Sequence, residues 1–281
     1  MKKISKIFTI LCALCLVFSF CFTACGGSKD RYADYNQVET LNEKTTKEVY
    51  DDIMGVINSN KTNFSSQISY DIDCSISDGH NSLQIEIQMQ DIFKINGTNF
   101  YEKTVMDMGE LGGVSTSDFW YVDETAYMND GQSKEKAYIT VAQLEENGIL
   151  DMDNLINPLY DFSAVPFDEV RFCINKNDAT DIFFELTLDG ADAEAFAENM
   201  LSKINMPGID LGLDKVYYKF VINEQGEYSH SEIEFDLSMK MSHDGMTTKV
   251  NYSFDGEIRF SNLGSTVVNA PADADDYIPI N

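Results

Sequence analysis

Histidine and basic residues are scarce in this chain. Three histidines and 20 lysines and arginines stand against 47 aspartates and glutamates in 281 residues, a formal net charge of −27. The acids are spread along the chain and not gathered in a tail. A body of this sign has no positive footprint for phosphate backbones, which excludes nucleic acid as a partner. It also argues against docking of the folded body on anionic head groups. Cysteines and the histidines His80, His230 and His243 show no metal-site spacing, and no CxxC occurs beyond the N-terminal region. A GxSxG elbow, a Walker loop and a dinucleotide loop are all missing; the glycines of 109–113 lack the lysine and the strand–helix frame. The aspartate pairs around Asp151 and Asp273 lack the twelve-residue calcium loop with its central glycine. Among 47 acids, some pair will reach a glycosidase separation by chance. The expectation is therefore a protein that is not an enzyme and uses no cofactor. A hydrolase would need a histidine brought beside a serine or aspartate in a cleft.

Apolar residues without charge are concentrated at the N-terminus. Lys2, Lys3 and Lys6 precede an uncharged run over 7–24. A basic segment followed by a short apolar one is the layout of a secretory signal. A retained transmembrane helix is the alternative, and needs roughly 20 apolar residues. The stretch Phe22-Thr23-Ala24-Cys25-Gly26 resembles the bacterial lipobox, with small residues before the cysteine and glycine after it. Phe22 departs from the usual aliphatic residue. The resemblance implies acylation of Cys25, cleavage before it and anchoring to the bilayer at the extracytoplasmic face of the cell membrane. Cys12, Cys15 and Cys21 lack the small residue immediately before them. Loss of the leader removes three lysines and no acid, taking the net charge from −27 to −30. Residues 25–35 read as a short polar tether, which reaches roughly 35 Å when extended. The acyl chain is then the expected membrane contact of a monomeric body.

Beyond the tether the dominant signal is a period of two. Ile68, Tyr70, Ile72, Cys74 and Ile76 alternate with Gln67, Ser69, Asp71, Asp73 and Ser75. Leu83, Ile85, Ile87 and Met89 do the same, as do the inward sets of 182–188, 216–222, 233–241 and 248–260. Such alternation means strands with one apolar and one wet face. Asp78-Gly79, Asn96-Gly97, Asp123-Glu124 and the run 223–226 supply turns. A three- and four-residue apolar rhythm over 38–57 predicts a first helix. Thr140 and Gln143 form a capping-box match before a short second helix. Asp189 or Asp192 can cap a third, carrying Phe196, Met200 and Ile204. The expected fold is α+β: a large antiparallel, half-barrel-like sheet of about ten or eleven strands, with helices covering its concave face. Residues 36–275 form a single domain, and 276–281 a polar tail. Parity places Cys74 inward and Cys173 outward, which favours two free thiols over a disulfide.

The lipobox, one early helix and long alternating strands together resemble the LolA/LppX-like lipoprotein-localisation superfamily, in the form secreted by Gram-positive bacteria. So do the turns at Asp123-Glu124 and 223–226 and the ending 267–274. The resemblance lies in layout and covers most of residues 36–275. It implies a sheet that carries an acyl chain or another hydrophobic ligand. Under that reading Ile72, Ile87, Met89, Phe184, Phe220, Phe235, Met239, Tyr252 and Phe254 line the ligand, methionine being adaptable to a flexible guest. The competing reading makes the same residues ordinary core, and the protein a cell-envelope interaction module with a solid interior.

Overall fold

The computed structural model describes residues 32–77, 82–109, 112–146, 162, 165–201, 209–243 and 246–280. The leader, Cys25, the tether up to residue 31 and the turn at Asp78-Gly79 lie outside them. Three short N-terminal strands, β1 (Tyr35–Val38), β2 (Thr40–Leu41) and β3 (Lys44–Thr45), lead into helix α1 (Thr46–Ser59). Strands β4 (Asn63–Ser77), β5 (Ser82–Asn96), β6 (Asn99–Asp107), β7 (Val114–Val122), β8 (Thr125–Asn129) and β9 (Lys134–Tyr138) follow as a meander. Helix α2 (Val141–Glu146) closes this half. The second half runs β10 (Phe172–Asn175), β11 (Ile182–Asp189), α3 (Gly190–Leu201), β12 (Ile209–Ile222), β13 (Tyr228–His243), β14 (Met246–Ser261) and β15 (Ile278–Pro279).

Thirteen strands form one sheet in the order β1-β10-β11-β12-β13-β14-β4-β5-β6-β7-β8-β9-β15. The fold is α+β, with a large, mostly antiparallel sheet and few helices. The β14–β4 pairing joins the two halves, with Phe254 opposite Ile72 and Tyr252 opposite Cys74. Eleven of the thirteen strands follow the sequence pattern; the other two, β1 and β15, sit at the edges of the sheet. Both are short and lack alternation, so period alone does not reveal them. β1 pairs antiparallel with β10, and β15 pairs parallel with β9 through Ile278–Glu135 and Pro279–Lys136. Each covers an edge that would otherwise offer unpaired N–H and C=O groups.

The first helix begins later than its apolar rhythm suggests. Thr45 caps it with a reciprocal capping box: Glu48 N–H reaches Thr45 Oγ1 at 3.3 Å, and Thr45 N–H reaches Glu48 Oε2 at 2.8 Å. Val38 and Leu41, which continue the rhythm, belong to strands. The second helix starts as read, with Thr140 N–H on Gln143 Oε1 at 2.9 Å. The side chains of Phe196 and Met200, and all of Ile204, lie outside the described residues. The β7–β8 turn places Asp123 and Glu124 at φ 50° and 61°. A two-residue hairpin of this kind requires left-handed backbone at both positions. Flanking hydrogen bonds, Asp123 N–H to Asn99 Oδ1 and Ile139 N–H to Glu124 O, hold it there.

The C-terminal segment is docked against the sheet. Tyr277 is 2% exposed and meets Tyr127 and Trp120 edge-on at centroid distances of 5.4 and 6.3 Å. Polar composition hides this, because one aromatic ring and the backbone pairing of Ile278 and Pro279 with β9 seat the segment.

Candidate functional site: the inner face of the sheet

The apolar face is organised as cross-strand rows set by the register. One row reads Val216–Phe235–Phe254–Ile72–Ile87 from β12 to β5. Four of the nine residues expected to line a ligand stand in it. Phe235 and Phe254 stack at 4.7 Å. A second row reads Phe172–Phe184–Phe220–Ser231–Ile258–Ile68–Asp91–Thr104–Ser117 from β10 to β7. Phe184 and Phe220 stack there at 5.0 Å. Met89, Met239 and Tyr252 occupy neighbouring rows. All nine are buried in one hydrophobic cluster. Tyr50 of α1, with Phe162 and Phe167, covers the Phe220 end, Tyr50 lying 5.6 Å from Phe220 and 5.1 Å from Phe167. α3 packs against β11 and β12.

The second row changes character along its length. Its β10–β12 end is aromatic; its β5–β7 end is Asp91, Thr104 and Ser117. Counting by two along β5 from Ile85 through Ile87 and Met89 lands on Asp91, so its carboxyl is set into the apolar face. It is 1% exposed. Oδ1 accepts from Thr104 Oγ1 at 3.0 Å, while Oδ2 is buried without a hydrogen-bond partner. The neighbouring row, Ser66–Phe93–Glu102–Phe119–Met128–Glu135, brings two more carboxyls to the same face, Glu102 beside Asp91 and Glu135 at the far end. Burial pushes the Asp91 carboxyl up to about 7, with Glu102 adding to the rise and Thr104 opposing it. Burial raises Glu102 as well. The strand runs on from Met89 through Phe93, and parity along it is the sequence signal that finds Asp91 between them.

The inner face opens where these carboxyls stand. Phe119, Glu102, Thr104 and Met106 are half-buried, and Met128 is 42% exposed. The arrangement is an apolar surface with a few convergent polar groups, which is the make-up of a small-molecule site.

The outer face is different. Concavities of about 490 and 520 Å3 lie on it. The larger is lined by Asp71, Asp107, Glu232, Asp255 and Glu257 among others. Burial pulls the Glu232 carboxyl up, but bonds to His230 and Lys219 outweigh it and hold it near 2. Lys219 Nζ lies 2.9 Å from Glu232. Asp255 is raised by burial and then by Asp71 and Glu232. Cys74 and Cys173 are buried and not joined in a disulfide, on the inner and outer faces respectively. Among the described residues no group of three or more His, Cys, Asp or Glu could hold a metal ion. No described helix is long and apolar enough to cross a membrane.

No family model and no curated protein matches the chain. Among solved structures it is similar to LprF from Mycobacterium bovis, at 13% identity and a TM-score of 0.38, over 80% of this chain and 97% of that one. A DUF1329 family protein from Desulfovibrio piger overlaps at 10% identity and a TM-score of 0.24, over 76% and 92%. A LolA superfamily protein from Nitrosomonas europaea overlaps at 9% and 0.21, over 79% and 96%. Overlaps this loose speak to neither ligand nor activity.

Proposed function

We propose that the protein is a lipoprotein of LolA/LppX-like type, anchored through acylated Cys25 at the extracytoplasmic face of the cell membrane. It binds a hydrophobic ligand on the inner face of its sheet and catalyses no reaction. The observation that carries this reading is the apolar face that ends at an opening, where Met106, Phe119 and Met128 are left partly exposed. Burial of apolar area on both partners drives binding. The rows containing Ile72, Ile87, Met89, Phe184, Phe220, Phe235, Met239, Tyr252 and Phe254 form the wall along which a chain extends, displacing part of the cover. Mass spectrometry of lipids extracted with the protein from its own membranes tests the idea. A stoichiometric, exchangeable acyl compound is expected, and its absence both on extraction and after a lipid soak would refute it. Cys25→Ala removes lipid labelling if the anchor reading holds.

A second reading rests on the outer face. Its concavities are lined by acids, so a cationic protein or cell-wall partner fits them by charge. Binding that disappears on Asp71→Asn/Asp255→Asn, with no bound acyl compound, would favour it.

A further inference from the structure

We infer that the ligand of the inner face is an amphiphile bearing a protonated amine, whose ammonium group is received by Asp91 and Glu102 while its chain lies on Met106, Phe119 and Met128. The inference rests on the ligand-carrier reading and names the chemistry of the head group. Asp91 and Glu102 are diagonal neighbours on adjacent strands, since Asp91 pairs with Thr104 and Glu102 stands two residues away on β6. Diagonal positions lie roughly 7 Å apart, close enough for one small group to touch both. Asp91 Oδ2 is buried with no hydrogen-bond partner, and the Glu102 side chain makes no hydrogen bond or ion pair among the described residues. The lysines of the same strands, Lys94 and Lys103, fall on the opposite parity; Lys94 sits over the outer-face Tyr101 ring at 5.7 Å. Two carboxyls in an apolar setting therefore face each other with no cation from β5 or β6.

A buried acceptor left without a donor keeps its full desolvation penalty, larger where the group is charged, so such a pair is retained at a loss unless something fills it. A primary ammonium carries three donors and one positive charge. That matches the open oxygens of Asp91 and Glu102 and relieves their mutual repulsion. A carboxylate or phosphate head group would be repelled. A calcium ion needs 6–8 oxygen ligands, more than two carboxyls and the Thr104 hydroxyl supply. Access comes from the open side: Glu102 and Phe119 are half-buried and Met128 is 42% exposed, with Asp91 behind them.

The test uses the full acylated protein in phosphatidylcholine nanodiscs, with empty nanodiscs subtracted. Octylammonium, octanol and octanoate are titrated calorimetrically near neutral pH. Octylammonium is expected to bind at least ten-fold more tightly than octanoate. The preference should fall below about three-fold in Asp91→Asn/Glu102→Gln, and most of the way in Glu102→Gln alone, an isosteric change at a half-buried side chain. Octanol affinity should change less than two-fold in either variant. Asp71→Asn/Asp255→Asn, on the outer face, should keep the preference. Equal binding of the three probes would overturn the head-group assignment while leaving the carrier reading intact. So would a preference that survives the inner-face variants or vanishes with the outer-face ones. If none of the three probes binds, the carrier reading itself falls.

Discussion

Thr104 donates its hydroxyl to Asp91 Oδ1 at 3.0 Å across the β5–β6 pair, and Asp91 Oδ2 receives nothing. The carboxyl is thus half-served inside an apolar face. A group in this position prefers its neutral form, because desolvation penalises the charge.

Stability should fall with rising pH through Asp91. Its carboxyl is raised in the fold from 3.8 to about 7. Below the lower value both folded and unfolded chains hold the proton, and the group makes no difference. Between the two values the folded state keeps a proton that the unfolded chain has lost, so stability drops as pH rises. Asp91→Asn removes that slope. Denaturant midpoints at about pH 4.5 and pH 8 should show the variant gaining on the parent at the higher pH, by on the order of a few kcal/mol. An equal gap at both values would mean that Asp91 is not held as the acid.

The capping box should be worth more than its exposed position suggests. Thr45→Ala leaves the N–H of Glu48 without its side-chain acceptor and removes the hydroxyl that donates to Glu48 Oε2, the residue-45 N–H remaining as that carboxylate's donor. A loss of about 1 kcal/mol is expected, with Thr45→Ser nearly neutral. Thermal unfolding of the two variants separates the cap from the loss of a methyl group.

Trp120 reports on the C-terminal strand because it is the single tryptophan. Tyr277→Ala removes the ring that covers Trp120 and Tyr127. Its emission should shift to the red in the native state, with a stability loss of about 2–4 kcal/mol. Unchanged emission would mean that residues 277–280 are not seated on the outer face.

Neither thiol of the folded body should react. Cys74 and Cys173 are each 2% exposed. Burial pushes the Cys173 thiol up to about 11, with Glu185 adding and Lys219 opposing. The thiolate is the reactive form, so alkylation at about pH 8, mapped by peptide, should leave both unmodified in native protein and label both in denaturant. Native labelling of Cys173 alone would place the Tyr32–Val38 segment away from it.

Most of the sheet was legible because a period of two survives in a single sequence wherever one face is wet. The inward and outward faces of the strands between β4 and β14 follow from alternation and turn residues alone. Where alternation is short or absent, as in β1 and β15, pairing is decided by contacts with residues more than a hundred positions away. The start of α1 differs from the apolar rhythm for a related reason: Val38 and Leu41 fit a helical stripe, yet Thr45 and Glu48 satisfy the backbone donors of a helix that begins at Thr46. The candidate site was half legible. Its apolar wall came from the inward parity of residues such as Phe235 and Phe254. The carboxyl pair did not, because a lone Asp in an apolar row looks like a break in the pattern until its parity is counted.

Composition and local order alone carry the acidity, the basic-then-apolar N-terminal stretch with its lipobox-like residues, the strands and the faces they present. Tertiary structure decided which rows meet. Register across β5, β6 and β7 set Asp91 beside Thr104 and Glu102, and it left that end of the inner face open. It also sealed the two edges of the sheet with β1 and β15. Hydrogen-bond register is a property of paired strands, and no single strand carries it.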